Sequence, residues 1–261
     1  MLFLQKHDVM SNQLENIIMR YRELGIENQI DYEKFYLYSL ITHSTAIEGS
    51  TITELENMIM FEDGVSLHGK SLEEQNMNLD LKVAYEKSFE IIKSHTPLSI
   101  DILIMLSALV MKNTGKEYKT ILGDFSSSKG ELRLLNVTAG IGGKSYMNFS
   151  KVPAKLEEFC KQINIERQNF STKSIDELYQ ISFDAHYNLV TIHPWADGNG
   201  RMARLIISKD FSYATFKSRF MFCSSMLFPF RLMPSSNIII FSSSVIVEPS
   251  MAVEWVIREY R

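Results

Sequence analysis

The segment from His193 to Arg204, HPWADGNGRMAR, gathers side chains suited to phosphate chemistry within one short stretch. His193 has an ordinary pKa of about 6.5, which suits a general base near neutral pH. Asp197 offers a carboxylate of the kind that Mg²⁺ takes when it also binds substrate phosphates. Arg201 and Arg204 are three residues apart, so a helix would bring both phosphate-binding guanidinium groups to one face. The pattern indicates a site for phosphate transfer.

Proline and glycine set the shape of this segment. Pro194 disfavours helix at His193, so the chain must turn there. Gly198 and Gly200 allow backbone angles that other residues avoid. A helix can resume at Met202–Leu205, and its dipole adds positive potential beside the backbone N–H groups of the turn. Such a nest suits phosphate oxygens.

Each part of the segment has an ordinary explanation when it is taken alone. The stretch from Asp197 to Gly200 could be a plain turn, and His193 could be a structural histidine. The two arginines could belong to a solvated helix face. The joint pattern is much less common by chance, and it therefore favours a functional site.

A second group lies far upstream, in the stretch STAIEG at residues 44–49. Ser44 and Glu48 are four residues apart, so they share one face of a helix that Gly49 can end. The ordinary explanation is a surface glutamate in a last helical turn, where the helix dipole makes a negative charge mildly unfavourable.

Helical periodicity dominates the first 205 residues, and these helices must position both groups. Apolar side chains recur at spacings of three and four, which predicts helices with one buried face each. Pro97 predicts the end of the second helix, and Ser99 predicts an N-cap for the third. The four stripes are Phe35, Tyr38, Ile41 and Thr45; Leu81, Tyr85, Phe89 and Ile92; Ile102, Leu103, Leu106, Leu109 and Val110; and Leu178, Ile181, Ala185, Leu189 and Ile192.

The segment from Gly130 to Pro153, called the flap segment below, breaks this pattern. It holds short apolar pieces around Gly140, Gly142 and Gly143. These features predict a β-hairpin or an extended flap. We therefore expect a mainly α fold with one small β element.

Composition narrows the class of protein. The chain has 261 residues and a formal net charge of −4, without a dense basic stretch, which argues against nucleic acid as a partner. No stretch reaches the roughly 20 apolar residues that span a bilayer, so no membrane partner is expected. The two cysteines, Cys160 and Cys223, form no disulfide framework and fit a reducing, cytoplasmic location.

Residues 193–204 resemble the signature of the Fic domain family, H-P-[FW]-x-[DE]-G-N-G-R-x-x-R, at every fixed position. The resemblance implies a Fic-type helical bundle with a small β-hairpin flap. It also implies that His193 deprotonates a hydroxyl group of a target protein and that Asp197 holds Mg²⁺. The hydroxyl then attacks the α-phosphorus of ATP in line, and pyrophosphate leaves.

The same resemblance assigns the phosphates of ATP to the rest of the loop. Asn199 and the loop backbone, which includes Gly198 and Gly200, would bind the α- and β-phosphates. Arg201 would hold the β-phosphate and Arg204 the γ-phosphate.

The stretch STAIEG resembles the inhibitory helix of that family, [ST]-x-x-x-E-[GN]. This implies that Glu48, with Ser44 on the same helix face, pairs with Arg204 and occupies the place of the γ-phosphate. ATP would then bind with its α-phosphate misplaced for attack. The flap segment falls where the family places a hairpin that clamps an extended stretch of the target. The expected domains are an N-terminal helical region (1–95) with the inhibitory helix, a Fic core (96–215) and a C-terminal tail (216–261).

Together, the residues and the resemblance predict a protein adenylyltransferase. It would use ATP and Mg²⁺ to place AMP on a Ser, Thr or Tyr hydroxyl of a protein, the chain itself included, and Glu48 would inhibit it. Two alternatives stay open. One is a Fic-fold transferase or hydrolase for another nucleotide or phospho group, including removal of AMP. The other is a non-catalytic, nucleotide-binding regulatory module. A homo-oligomer is also left open.

The composition changes after Leu205. The sequence becomes rich in Ser and Phe, and Asp210 is the only acidic residue before Glu248. The resemblance covers about residues 30–205 and stops there. We hold as a hypothesis that a reading-frame shift altered this tail, which resequencing of the coding region would test.

Overall fold

The structure is a computed structural model that describes residues 32–206, apart from 141, 142 and 144, together with residues 20 and 23. The helices are α1 (Tyr32–Ile47), α2 (Glu54–Asp63), α3 (Leu72–Lys93), α4 (Ile100–Val110), α5 (Val152–Gln168), α6 (Ile175–Ile192) and α7 (199–206). Two strands, β1 (Glu117–Thr120) and β2 (Gly123–Ser126), form one antiparallel pair. The prediction of a mainly α fold with one small β element is confirmed.

Polar residues begin most of these helices. The side chains of Thr53, Ser71 and Ser174 each accept a hydrogen bond from the third helical residue, a glutamate whose carboxylate binds back to the cap. This capping box satisfies backbone N–H groups that have no partner inside the helix. Ser99 caps α4 by accepting a hydrogen bond from the N–H group of Ile102, as the sequence predicted.

The predicted apolar stripes form the core. Helix α4 packs against both α3 and α5, and α5 packs against α6. The apolar stripes therefore face one another and are buried away from water. The stripe residues that are buried are Ile41, Thr45, Leu81, Tyr85, Ile92, Leu103, Leu106, Val110, Leu178, Ala185, Leu189 and Ile192. The stripe residues that are partly buried are Tyr38, Phe89, Ile102, Leu109 and Ile181. The side chain of Phe35 lies outside the described residues.

The regular β-hairpin lies earlier in the chain than predicted. β1 and β2 pair from Glu117 opposite Ser126 to Thr120 opposite Gly123, before the flap segment begins. Within the described part of the flap segment, pairing is limited to one bridge between Thr138 and Ser145. The two residues at the tip of the hairpin, Ile121 and Leu122, are apolar and do not indicate a turn, although Gly123 follows them directly.

Within residues 32–206, no helix has both the length and the apolar character needed to cross a bilayer. From residue 207 on, the tail on which the reading-frame hypothesis rests lies outside the described residues. The hypothesis therefore stays a prediction.

Candidate active site

His193 ends helix α6 and turns the chain towards the loop. Its N–H group donates to the carbonyl of Leu189 at 2.9 Å, and its backbone takes the left-handed conformation, with φ 50° and ψ 63°. Pro194 follows directly and cannot donate a further helical hydrogen bond. The predicted turn at His193 is therefore confirmed, and it sets the imidazole beside the loop 194–198 that leads into α7.

The two glycines of the loop serve different purposes. Gly198 has φ 79°, a conformation that suits glycine, as the sequence predicted. Gly200 instead lies inside α7 without a positive φ, so the prediction of special backbone angles is wrong there. A Cβ atom at Gly200 would lie only 3.0 Å from Nη1 of Arg204 and from Oε1 of Glu48. Its lack of a side chain is therefore explained by close packing.

Asn199 braces the loop with its side chain. Its Oδ1 accepts from the N–H group of Trp195 at 3.1 Å, and its Nδ2 donates to the Trp195 carbonyl at 2.9 Å. The indole of Trp195 is fully buried, and Nε1 donates to the carbonyl of Gly130 at 2.9 Å. Both polar atoms of the Asn199 amide are therefore engaged within the loop, which leaves its backbone as the part open to a phosphate.

Arg201 is a buried cation whose hydrogen-bonding capacity is only partly used. The residue is 4 % exposed, and its Nε has no hydrogen-bond partner among the described residues. One terminal nitrogen lies 3.0 Å from Sδ of Met111, and the other lies 3.4 Å from the carbonyl of Val110. Burial lowers the pKa of Arg201, yet an arginine stays protonated in proteins. A buried, under-satisfied cation of this kind is suited to an anionic ligand.

Asp197 stands at the open side of the loop. Its side chain is 53 % exposed, and Oδ1 lies 3.9 Å from Nη2 of Arg201. The same oxygen accepts from the N–H group of Gly198 at 2.6 Å, which holds the carboxylate in place. Among the described residues, no group of three or more acidic, histidine or cysteine side chains could hold a metal by itself. One accessible carboxylate beside a buried arginine nonetheless fits Mg²⁺, which usually takes one or two carboxylates and completes its shell with substrate phosphates and water.

Arg204 is held by the end of helix α1. Its Nη2 lies 2.5 Å from Oε1 of Glu48, and it also donates to the carbonyl of Ser44 at 3.1 Å. Nε donates to Oγ of Ser44 at 2.8 Å. The structure therefore brings the two distant sequence groups together, with the Arg204 side chain 9 % exposed and that of Glu48 33 % exposed.

A buried polar cluster fixes the end of α1 on its neighbours. Oγ1 of Thr45 donates to Oδ1 of Asn78 at 2.9 Å, and Nδ2 of Asn57 donates to the same oxygen at 2.9 Å. Nδ2 of Asn78 donates to Oγ of Ser50 at 3.2 Å. Thr45, Asn57 and Asn78 are all fully buried. Because buried polar groups are costly to leave unpaired, this cluster favours one placement of the helix end that carries Glu48.

The imidazole of His193 lies under an aromatic ring. Tyr146, from the flap segment, stacks on it with ring centroids 3.7 Å apart. Burial lowers the pKa of His193, and the positive charge of Arg133 acts in the same direction, while the Val190 carbonyl and Asp197 oppose them. Among the residues that the structure describes, Nδ1 has no partner at hydrogen-bonding geometry, and it is buried. A lowered pKa keeps the ring neutral at pH 7, the form that a general base needs.

Three residues at the site were missed by the sequence reasoning. Tyr146 and Arg133 lie in the flap segment, and Met111 follows α4. Their importance comes from contacts across the fold with His193 and Arg201, which no local spacing reveals. The sequence held one indirect indication of these residues. Gly130, whose carbonyl binds the indole of Trp195, marks the start of the irregular segment that contains Arg133 and Tyr146.

Comparisons with known proteins give the fold and the relatives of this chain. Residues 97–209 match the family model described as the Fic/DOC family. The chain is 30 % identical over 179 residues to protein adenylyltransferase fic-1 of Caenorhabditis elegans, which covers 67 % of this chain and 31 % of that protein. It is 32 % identical over 172 residues to protein adenylyltransferase Fic of Nematostella vectensis, covering 64 % and 36 %. The chain therefore spans about a third of the length of these curated relatives.

Solved structures agree on the fold. Fic-1 (aa134 - 508) from C. elegans superposes with a TM-score of 0.61 at 23 % identity, covering 84 % of this chain and 60 % of that one. A Fic domain containing signaling protein from Bacteroides thetaiotaomicron superposes with a TM-score of 0.58 at 21 % identity, covering 70 % and 64 %.

Proposed function

Because this chain belongs to the Fic/DOC family, we propose that it is a protein adenylyltransferase that moves AMP from ATP to a hydroxyl group of a protein. The curated relatives bear that name. The observation that carries the proposal is the segment 193–204, which joins a histidine of lowered pKa to a buried arginine whose Nε has no partner in the described part of the chain. The acceptor is a Ser, Thr or Tyr hydroxyl of a protein, and the chain itself is one candidate.

His193 acts as the general base in this proposal. Its neutral imidazole accepts the proton of the attacking hydroxyl, whose oxygen forms a bond to the α-phosphorus. The bond between the α-phosphorus and the bridging oxygen to the β-phosphate breaks, and pyrophosphate leaves with that electron pair. Such a reaction depends mostly on positioning and on electrostatic stabilisation of the phosphate oxygens.

Arg201 and Arg204 supply the positive charge. The guanidinium of Arg201 is desolvated, so its attraction for the β-phosphate is stronger than that of an exposed arginine. Arg204 binds the γ-phosphate once it is free of Glu48. Asp197 would hold Mg²⁺, which neutralises phosphate charge when it is bound. The backbone N–H groups of Asn199 and Gly200, at the start of α7, are offered to the α- and β-phosphates, and Gly198, whose own N–H donates to Oδ1 of Asp197, shapes the turn before them.

Glu48 inhibits the reaction in this proposal because its carboxylate occupies the guanidinium that the γ-phosphate needs. ATP can still enter, since Arg201 and the loop backbone are not engaged by Glu48. Without Arg204 the triphosphate takes another path through the site, and the α-phosphorus is misplaced for in-line attack. The proposed compartment is the reducing cytoplasm, because the two cysteines form no disulfide framework.

The test compares three proteins under one set of conditions. The wild-type chain, Glu48→Gly and the double variant Glu48→Gly/His193→Ala are incubated with Mg²⁺ and ATP labelled at the α-phosphate. We expect label on protein to rise with Glu48→Gly and to disappear when His193 is also replaced. Equal labelling of all three proteins would refute the assignment.

A second labelling position separates AMP transfer from its alternatives. ATP labelled at the γ-phosphate should leave no label on protein, because that phosphate departs in pyrophosphate. Label from the γ-position would indicate phosphoryl transfer instead. A panel of other nucleotides, and a pre-modified protein as substrate, distinguish the other transferases and the removal of AMP. Calorimetry that finds ATP binding without any labelling by Glu48→Gly would favour a regulatory module.

A further inference from the structure

Arg133 is a fully buried cation that binds three separate parts of the chain. The residue is 1 % exposed. Nε donates to the carbonyl of His193 at 2.7 Å, Nη1 donates to the carbonyl of Leu135 at 2.6 Å, and Nη2 donates to the carbonyl of Met147. The backbone N–H of Arg133 also donates to the carbonyl of Pro194 at 3.1 Å. Arg133 thus joins two parts of the flap segment, at Leu135 and at Met147, to the backbone of His193 and Pro194.

The charge of Arg133 is balanced by carbonyl dipoles. Among the described residues, no carboxylate lies within salt-bridge distance of its guanidinium. Burial lowers the pKa of Arg133, although the group stays protonated in a protein. Placing an unpaired charge in the interior is costly unless its donors are satisfied, so a planar fork on three carbonyls is a demanding arrangement. An arginine held in this way fixes the positions of the three backbone carbonyls that it binds, which an apolar core residue would not do.

The three acceptors lead directly to the candidate base. The carbonyl that Nε binds belongs to His193 itself, a residue with a left-handed backbone. Met147 follows Tyr146, whose ring stacks on the His193 imidazole. Arg133 therefore holds the backbone of the histidine and the backbone beside the ring that covers it. If the fork were lost, both constraints on the imidazole would be released together.

We propose that Arg133 is a positioning residue that fixes the His193 imidazole and the flap segment in one geometry, a role that rests on the proposed AMP transfer. Lysine keeps the charge but presents its donors from one point, so it cannot bind the three carbonyls as the fork does. Arg133→Lys should therefore behave nearly as poorly as Arg133→Met.

The kinetic test uses the Glu48→Gly chain as background. Arg133→Lys should lower kcat by roughly 10- to 100-fold, in line with the cost of a misplaced catalytic group. KM for ATP should stay within about twofold, because Arg201 and Arg204 are untouched. Leu156→Ala, a buried core change in α5, is the control for lost stability alone. A lysine variant with full kcat, or one that matches the control, would overturn the proposal.

A spectroscopic test does not need activity. The ring current of Tyr146 should shift the ring protons of His193 upfield in the wild-type chain. Arg133→Lys should move these resonances back towards ordinary values, and Tyr146→Leu should do the same by removing the ring. An unchanged shift in the lysine variant would overturn the role of Arg133. The result holds even if the chain transfers no AMP, so the two ideas fail separately.

A measurement on the wild-type chain covers the case in which the variants do not fold. With ¹⁵N-labelled arginine, the Nε–H of Arg133 should exchange with water far more slowly than that of an exposed arginine in the same spectrum. Rapid exchange would show that the bond to His193 is absent, and the proposal would be withdrawn.

Discussion

Nη2 of Arg204 and Oε1 of Glu48 lie 2.5 Å apart, although 156 residues separate them along the chain. The arginine sits in α7, directly after the loop, and the glutamate sits just past the end of α1. Ser44 adds two further contacts to the same guanidinium. The group proposed to bind the γ-phosphate is therefore already bound by one carboxylate, one hydroxyl and one carbonyl of the same helix end.

This arrangement predicts a graded release of activity. Glu48→Gln removes the charge from the strongest contact and should raise labelling from ATP by roughly 10- to 100-fold, as expected for a hydrogen bond between charged groups. Ser44→Ala removes a hydrogen bond in which only Arg204 carries a charge, so it should raise labelling less, by about 3- to 10-fold. Initial rates of label incorporation at saturating ATP give the comparison. A larger effect from the serine than from the glutamate would contradict this ranking.

The pH dependence of transfer should report the lowered pKa of His193. The protonated ring cannot act as a base, so kcat/KM should rise as the pH climbs through the pKa and then level off. Burial and the charge of Arg133 lower this pKa, so the midpoint should lie below the ordinary value of about 6.5. The profile of Glu48→Gly between pH 5 and pH 8, roughly the range over which a histidine titrates, is the measurement. A midpoint above the ordinary value would be inconsistent with a buried base.

Asn78 should link stability to inhibition. Asn78→Ala leaves Thr45, Asn57 and Ser50 without their shared partner, which should lower the free energy of unfolding by about 2–3 kcal/mol. Because this cluster seats the end of α1, labelling by the variant should also rise. Chemical denaturation and the ATP assay measure the two effects.

The control for Asn78 is Leu81→Ala on the same helix. Leu81 is fully buried, and its truncation should cost about 2–5 kcal/mol through the cavity that it leaves. It makes no polar contact with α1 in the cluster, so labelling should stay at the wild-type level. Equal labelling by both variants would mean that instability alone releases Glu48.

Glu74 should make stability depend on pH in the acid range. Hydrogen bonds from the N–H groups of Thr51 and Ser71 and from their hydroxyls lower its pKa from 4.5 to about 2. A lowered carboxylate pKa stabilises the fold above the ordinary value and loses that contribution as the pH falls towards 2. Glu74→Gln should therefore cost about 1 kcal/mol at neutral pH, as loss of a helix cap does. The difference from wild type should shrink between pH 4.5 and pH 2 in thermal melts. A constant difference would argue against the carboxylate as the cause.

The helical part of the fold was predictable because its signals are local. The N-cap at Ser99 and the buried stripe on α4 could be predicted from residue types and spacing alone, and the structure contains both. The turn at His193 followed from Pro194 for the same reason. The hairpin at 117–126 was missed because Ile121 and Leu122 at its tip carry no turn chemistry and are exposed against the usual preference.

The site was predictable only where residues act within one segment. His193, Asp197 and Arg201 lie within nine consecutive residues, so their chemistry could be inferred from residue types and spacing. Tyr146 and Arg133 act on the loop from the flap segment, and side-chain contacts across that distance depend on tertiary packing. The hydrogen bonds from the Asn199 side chain to the backbone of Trp195 could not be predicted either, since an asparagine side chain can bind a ligand or its own turn equally well.

Trp195 gives the loop an intrinsic fluorescent reporter. It is one of two tryptophans in the chain, and its indole donates to the carbonyl of Gly130 where the flap segment begins. With Trp255→Phe, all tryptophan emission would come from this one indole. Its wavelength would then register any entry of water between the loop and the flap segment, so nucleotide titrations could be followed without a label.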